Sequence, residues 1–125
     1  MISIHRYDYG NYYPGTGQKV NQKNICYVPL NNVLGTDQEY YEIFDKIVIP
    51  KLIDFKADII VVSAGFDAAE GDHLGGYHLS PNCYYNMTNK LMIFNKPLLL
   101  VLEGGYNLNS IAQSMAECVK CLLKL

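Results

Sequence analysis

Apolar positions along the chain fall into two spacings that take turns, and the alternation predicts strands interleaved with helices. Residues 1–4 read as a strand. Residues 6-RYDYGNYYPGTGQKVNQKN-24 read as a long loop, dense in Gly, Asn and Tyr with one Pro-Gly turn. Loops of that length inside a compact domain are usually functional or disordered, and the aromatics favour function. A short strand, 25-ICYVPL-30, is closed by Pro29. From Asp37 to about Phe55, the residues Tyr40, Ile43, Phe44, Ile47 and Val48 recur at helical spacing. Thr36 is the expected N-cap, with Glu39 completing a capping box, and Pro50 is expected to kink or interrupt the helix. Residues 58–63 form the next strand. Ser80 caps a second helix with Pro81 at its first position, running through Tyr84, Met87, Leu91 and Met92. The unbroken apolar run 98-LLLVL-102 is expected of a strand buried on both faces. A last helix, from about Asn109, aligns Ile111, Met115, Cys118, Val119 and Leu122 on one face.

Strands alternating with helices imply crossover connections, hence an α/β fold: a mostly parallel open sheet with helices on both faces. Polar or glycine-rich segments follow three strands, at His5 to Gly17, Ala64 to His78, and Glu103 to Asn107. Open α/β sheets bind ligands outside the carboxyl ends of their strands, so these three loops are expected to converge on one site. The opening strand has no preceding helix or cap. A parallel strand usually needs neighbours on both sides, so the chain is expected to be a piece of something larger.

Composition narrows the function classes. The 125 residues are enough for one domain, and 50% hydrophobic with 18% charged residues reads as globular. A net charge of −2 gives no reason to expect direct nucleic-acid binding. No apolar run approaches the ~20 residues that span a bilayer, so no membrane partner is expected. The four scattered cysteines, with no signal-peptide pattern ahead of them, read as reduced thiols of an intracellular protein. Cys118 and Cys121, three apart in an apolar helix, read as core thiols, since no second pair accompanies them.

The candidate polar groups at the sheet edge are His5, Asp8, Asp67, Glu70, Asp72, His73, His78 and Tyr106. Asp67, in 58-DIIVVSAGFDAAEGD-72, is the best metal ligand among them because it stands close to a strand end. An Asx-type turn is the competing reading. A catalytic zinc needs three protein ligands, and the local spacing offers neither H-E-x-x-H nor Asp-x-His. Gly104 and Gly105 let the backbone approach a ligand closely and adopt positive φ. Tyr106 after them either donates to a developing oxyanion or packs on the sheet edge. No glycine-rich loop here matches a phosphate-binding pattern.

Three segments, 3-SIHRYDYGNYYPGTG-17, 61-VVSAGFDAAEGDHLGGYHLSP-81 and 100-LVLEGGYNLNSIAQSM-115, resemble the zinc-dependent histone deacetylases in order and spacing. Phe66 and Glu103 place the resemblance in the class II branch, and Leu74 and Tyr106 make it similar to the active IIb-like type. The resemblance implies Asp67 as a zinc ligand and Tyr106 as the phenol that stabilises the oxyanion. It implies Ser3 and Ile4 at a structural potassium site, Ile4 through its carbonyl. Tyr13 matches an aromatic that walls the acetyl-lysine channel, where the family more often has Phe. Leu74 matches a tunnel-rim position that is Glu in the acetylpolyamine-preferring branch, so Leu favours acetyl-lysine. Gly104 and Gly105 fall among the substrate-binding positions.

The family's other two zinc ligands and its paired histidines match nothing in this chain, and His5 is expected to be structural. Residues 1–125 therefore resemble the C-terminal part of a deacetylase catalytic domain, expected to be inactive alone. As part of a larger domain, the expected activity is hydrolysis of acetyl-lysine in histones or other proteins. The implied partners are acetylated histone tails or other acetyl-lysine proteins and a corepressor complex, in the nucleus, the cytoplasm or both. A non-catalytic α/β binding or scaffold module is the competing reading.

Overall fold

The computed structural model describes residues 1–18 and 21–125; Lys19 and Val20 of the long loop lie outside the described residues. The chain divides into two compact units, Met1–Val33 and Leu34–Leu125.

In the first unit, β1 (Ile2–Arg6) pairs in parallel with β3 (Ile25–Leu30), from Ile2 opposite Cys26 to Arg6 opposite Leu30. A two-residue strand, β2 (Asn21–Gln22), joins β3 antiparallel. Polar Asn21 and Gln22 lack the apolar alternation that marks a strand, so the pattern missed them. The Tyr-rich segment that follows β1 is tied down by its own side chains. Arg6 pairs with Asp8 at 2.6 Å and lies 4.2 Å over the Tyr12 ring. Asp8 also accepts from Asn32 N at 3.0 Å. These bonds, the Arg6 one foremost, hold its carboxyl below the ordinary value. Asp8 is therefore a staple of this loop.

The second unit begins with α1 (Asp37–Ile43), a π-helical turn (Phe44–Val48) and α2 (Ile49–Phe55). The capping box forms as expected: Thr36 Oγ1 accepts from Glu39 N, and Glu39 Oε2 accepts from Thr36 N at 2.8 Å. The α-helical ladder is interrupted just before Pro50, as expected. The ladder changes to i→i+5 just upstream, with Ile49 N bonded to Phe44 O, which accommodates a residue without an N–H. A left-handed Lys56 ends α2. Next come β4 (Ile60–Ala64), α3 (Pro81–Met92), β5 (Leu98–Leu102) and α4 (Leu108–Leu123). β4 and β5 are parallel neighbours, joined through α3 as a βαβ unit. Ser80 caps α3 and is itself held by Asp37, whose two oxygens accept Ser80 N at 2.8 Å and Ser80 Oγ at 2.5 Å. Both helix starts are thus fixed to each other.

Two expectations change. In the register Val61↔Leu99 and Ser63↔Val101, one face of the β4–β5 pair is exposed, and Leu102 is exposed as well. Only the face carrying Ile60, Val62, Leu98 and Leu100 is covered to any degree. Apolar content showed that both faces suit a core; it could not show what covers each. Likewise the inner face of α4 is Ser114, Cys118 and Cys121, while Met115 and Val119 are exposed. Small side chains sit where α4 meets α3, and a search for large apolar residues passes over them. All four cysteines are buried and free. Among the described residues, no helix is long and apolar enough to cross a membrane.

Candidate active site

Asp67 is placed by its neighbour. Phe66 is 1% exposed, with its ring centroid 5.0 Å from that of Tyr84. Burying a phenylalanine contributes about 2–3 kcal/mol, so Phe66 anchors the chain as it leaves β4. Its N–H donates to Gly104 O at 2.8 Å, joining this loop to the one that follows β5. The chain then doubles back, with Ala69 N donating to Phe66 O and Leu79 N to Ala68 O, at 3.1 and 3.0 Å. Gly75 returns so close to Asp67 that a Cβ on it would lie 1.6 Å from the Asp67 carbonyl oxygen.

The second loop brings Tyr106. Gly105 has φ +133°, and a Cβ there would meet Ile111 Cγ1 at 2.8 Å, so only glycine makes this turn without strain. A Cβ on Gly104 would lie 2.9 Å from Asp67 Oδ2 and 3.8 Å from the Tyr106 hydroxyl. Carboxylate and phenol are therefore no farther apart than those two distances laid end to end. One small ligand can touch both, and the bare Gly104 leaves the space for it.

Asp72 holds the arrangement together. Its Oδ1 accepts from Leu74 N at 2.8 Å and Gly75 N at 2.9 Å, and its Oδ2 accepts from Tyr106 N at 2.7 Å. Asn107 caps α4 with its side-chain oxygen and donates Nδ2 to Gly71 O at 2.7 Å. Ser110 Oγ donates to Glu70 O at 2.7 Å. Glu70, a candidate from sequence, contributes here through its backbone.

The two acids sit in different electrostatic states. Burial pushes the Asp67 carboxyl up, the nearby Asp72 carboxylate pushes the same way, and the N–H groups of Asp67 and Ala68 oppose them. These two N–H groups do not offset the burial. Burial raises Asp72 too, but the N–H groups of Gly75, Leu74, Tyr106 and Asn107 together bring it below its ordinary value. Asp72 is satisfied by backbone. Asp67 has no salt-bridge partner among the described residues, and it is the acid whose ionised form a cation would stabilise. It fits one zinc ligand. Among the described residues no three His, Cys, Asp or Glu side chains form a group able to hold a metal, and Asp67 has no co-ligands there.

The other sequence candidates separate by unit. Two of the three loops expected to converge do so within the second unit, and Leu74 is exposed beside Asp72 on that loop. Ser3, Ile4 and Tyr13 belong to the first unit. Ser3 Oγ meets His5 Nδ1 at 3.0 Å, and His5 Nε2 meets Gly17 O at 2.7 Å. A proton on Nε2 satisfies both contacts, with Ser3 donating to Nδ1. This is the structural role expected of His5. Ile4 lies opposite Val28 in the sheet, and Tyr13 is 89% exposed. Sequence reasoning missed the roles of Asp72 and Asn107. Asn107 had a signal, a cap-type residue directly before an apolar helix; Asp72 bonds Leu74 N and Gly75 N locally, but nothing in the sequence signalled its reach to Tyr106, 34 residues away.

Comparison with known proteins shows the family. The family model described as "Histone deacetylase domain" matches residues 1–122. The chain is 39% identical to histone deacetylase HDA1 of Saccharomyces cerevisiae over 133 aligned residues, covering 98% of this chain and 19% of that protein. It is 40% identical to human histone deacetylase 7, covering 98% of this chain and 14% of that protein. The crystal structure of the HDA15 HD domain superposes with a TM-score of 0.94 at 39% identity, covering 98% of this chain and 37% of that one. The chain spans about a fifth of the length of the first curated relatives. With a family match over nearly its whole length and relatives of class II type, the chain belongs to the histone deacetylase family.

Proposed function

We propose that residues 1–125 are the C-terminal part of a protein lysine deacetylase catalytic domain, hydrolysing acetyl-lysine amides in histones or other proteins. The observation that carries this reading is the approach of Asp67 Oδ2 and the Tyr106 hydroxyl to one point beside Gly104. Asp67 would be one zinc ligand, with the remaining ligands and the general base coming from outside this chain. Zinc, on which the family depends, supplies a Lewis acid that polarises an amide carbonyl and acidifies a water. Tyr106 would donate its O–H to the acetyl oxygen as negative charge builds there. An exposed phenol on a turn fixed at its own N–H is suited to that task. Leu74, exposed and apolar, would form the rim of the entrance and favour acetyl-lysine over a cationic acetylpolyamine. Tyr13 would wall the channel, and Gly104 and Gly105 would let substrate approach the backbone. Ser3 and the Ile4 carbonyl would serve a structural potassium ion. Acetylated histone tails, or other acetyl-lysine proteins, and a corepressor complex are the proposed partners, in the nucleus or cytoplasm.

The test is Tyr106→Phe in the full-length protein. Loss of one oxyanion donor costs about 10²–10³ in kcat, while zinc content stays at the wild-type level. An unchanged kcat on an acetyl-lysine peptide removes Tyr106 from the reaction. A wild-type protein that binds zinc and hydrolyses no acetyl-lysine favours the scaffold reading instead.

A further inference from the structure

The Asp72 carboxylate holds no ion pair among the described residues, yet it is bonded from three sides by backbone. One oxygen grips the loop after β4, through Leu74 N and Gly75 N. The other grips the loop after β5 at Tyr106 N. Each contact bears on a different part of the reaction proposed above. Leu74 is the rim residue. Gly75 packs directly on the Asp67 main chain, where there is no room even for a methyl group. Tyr106 carries the phenol. We propose that Asp72 is a positioning residue for deacetylation, a carboxylate clamp that sets the Tyr106 phenol against the Asp67 carboxylate by binding the backbone of both loops at once.

The geometry explains why a carboxylate is needed. Both oxygens must accept, one from each loop; an ionised carboxyl accepts at both. An amide at the same place accepts at one atom only. With its oxygen toward Leu74 and Gly75, the NH2 group of Asn faces the Tyr106 N–H, donor against donor. Turned the other way, it opposes two donors. Either orientation frees one loop from the other. Two weaker staples remain, Asn107 Nδ2 to Gly71 O and Ser110 Oγ to Glu70 O. These keep the loops near each other while the phenol loses its fixed distance. Reactions of this kind fall steeply with misplacement, by about a hundredfold for an ångström.

This inference rests on the proposed deacetylase reading, and a four-way comparison separates the two. Wild type, Asp72→Asn, Tyr106→Phe and the double variant are prepared as full-length protein. Zinc content, melting temperature, kcat and KM for an acetyl-lysine peptide are measured on each. The expected result is a kcat about 10–100-fold lower in Asp72→Asn, with zinc content retained. In the Tyr106→Phe background the same substitution should change kcat less than about threefold, because the phenol it positions is already gone. Equal factors in both backgrounds, or a wild-type kcat in Asp72→Asn, overturn the proposal. An inactive wild type, or an inert Tyr106→Phe, overturns the underlying functional reading instead. If Asp72→Asn does not fold, Asp72→Glu decides. It keeps two accepting oxygens but displaces them from Leu74 N, Gly75 N and Tyr106 N, and should lower kcat severalfold in the wild-type background only; an unchanged kcat, or equal factors in both backgrounds, then overturns the clamp.

Discussion

Replacing Gly75 with Ala inserts one methyl group at the most crowded point of the site. A Cβ there would lie 1.6 Å from the Asp67 carbonyl oxygen and 2.5 Å from its carbonyl carbon. Ordinary contact begins near 3.4 Å, so one backbone segment must move by about 1.5–2 Å. Overpacking a core costs about 1–3 kcal/mol when side chains can rearrange. Here both sides of the clash are main chain, which places Gly75→Ala at about 3 kcal/mol or more. In a domain of a few hundred residues that is a fall in Tm on the order of 6 °C or greater. If the loop opens instead of unfolding, Gly75 N leaves Asp72 and the Asp67 carboxylate shifts, so zinc content and turnover fall together. Gly65→Ala is the matched control, since its Cβ would stand 3.5 Å from Asp67 Oδ1 and 3.7 Å from Gly104 N. That substitution should change stability by only about 0.5 kcal/mol. Thermal unfolding, zinc quantitation and peptide deacetylation on the two full-length variants make the comparison. A Gly75→Ala protein with wild-type Tm, zinc and kcat would refute the close approach on which the site's geometry rests.

Three further outcomes follow from other parts of the second unit. Thr36→Ala removes the side-chain acceptor of the capping box and should cost about 1 kcal/mol, read as a lower Tm; no change would show that α1 needs no cap. Glu39 is held below its usual carboxyl value of 4.5, chiefly by its bond to the Thr36 backbone. Its stabilising contribution is therefore complete above pH 4.5 and is lost as pH falls through the lower folded value. The Tm gap between wild type and Glu39→Gln should be constant at neutral pH and narrow in acid below 4.5; a gap that widens on acidification reverses the sign and refutes the assignment. Burial, with the Asp37 carboxylate adding to it, pushes the Cys83 thiol up to about 12. Cys26, Cys118 and Cys121 are also buried. Peptide-resolved alkylation at pH 8 should leave all four thiols unmodified in the native protein and modify them in denaturant, and rapid native labelling of Cys83 would contradict its burial.

What could be read from the sequence depended on the range of the interaction. The capping box at Thr36 and Glu39 and the Ser80-Pro81 helix start are local devices, written within four residues, and both form as expected. The parallel pairing of β4 with β5 followed from a helix lying between two apolar runs, again a short-range pattern. Pro50 interrupts the α-helical ladder as expected, but the form of the interruption, a π-helical turn just upstream, shows only in the folded chain. On α4, packing against α3 selected Ser114, Cys118 and Cys121 over the larger Met115 and Val119. The candidate site divides the same way. Asp67 and Tyr106 were visible because each stands just beyond the end of a strand, Asp67 two residues after Gly65 and Tyr106 directly after Gly105. Asp72 carries no such mark, and only the folded chain shows its reach from Leu74 to Tyr106.

The glycines and the acids of this site answer the same physical requirement. A ligand shared by a carboxylate and a phenol needs the two loops that carry them to come nearer than side chains usually allow. Gly75, Gly104 and Gly105 remove the methyl groups that would block that approach, at Asp67 O, at Asp67 Oδ2 and at Ile111 respectively. Bringing backbone so close also crowds N–H groups together at the junction. A half-buried carboxylate at Asp72 collects three of them and leaves Asp67 without a salt bridge among the described residues. Exchanging the two environments would satisfy the acid proposed for the cation and strand the one that holds the backbone. The division of labour between Asp67 and Asp72 therefore arises from the glycine-rich turns themselves.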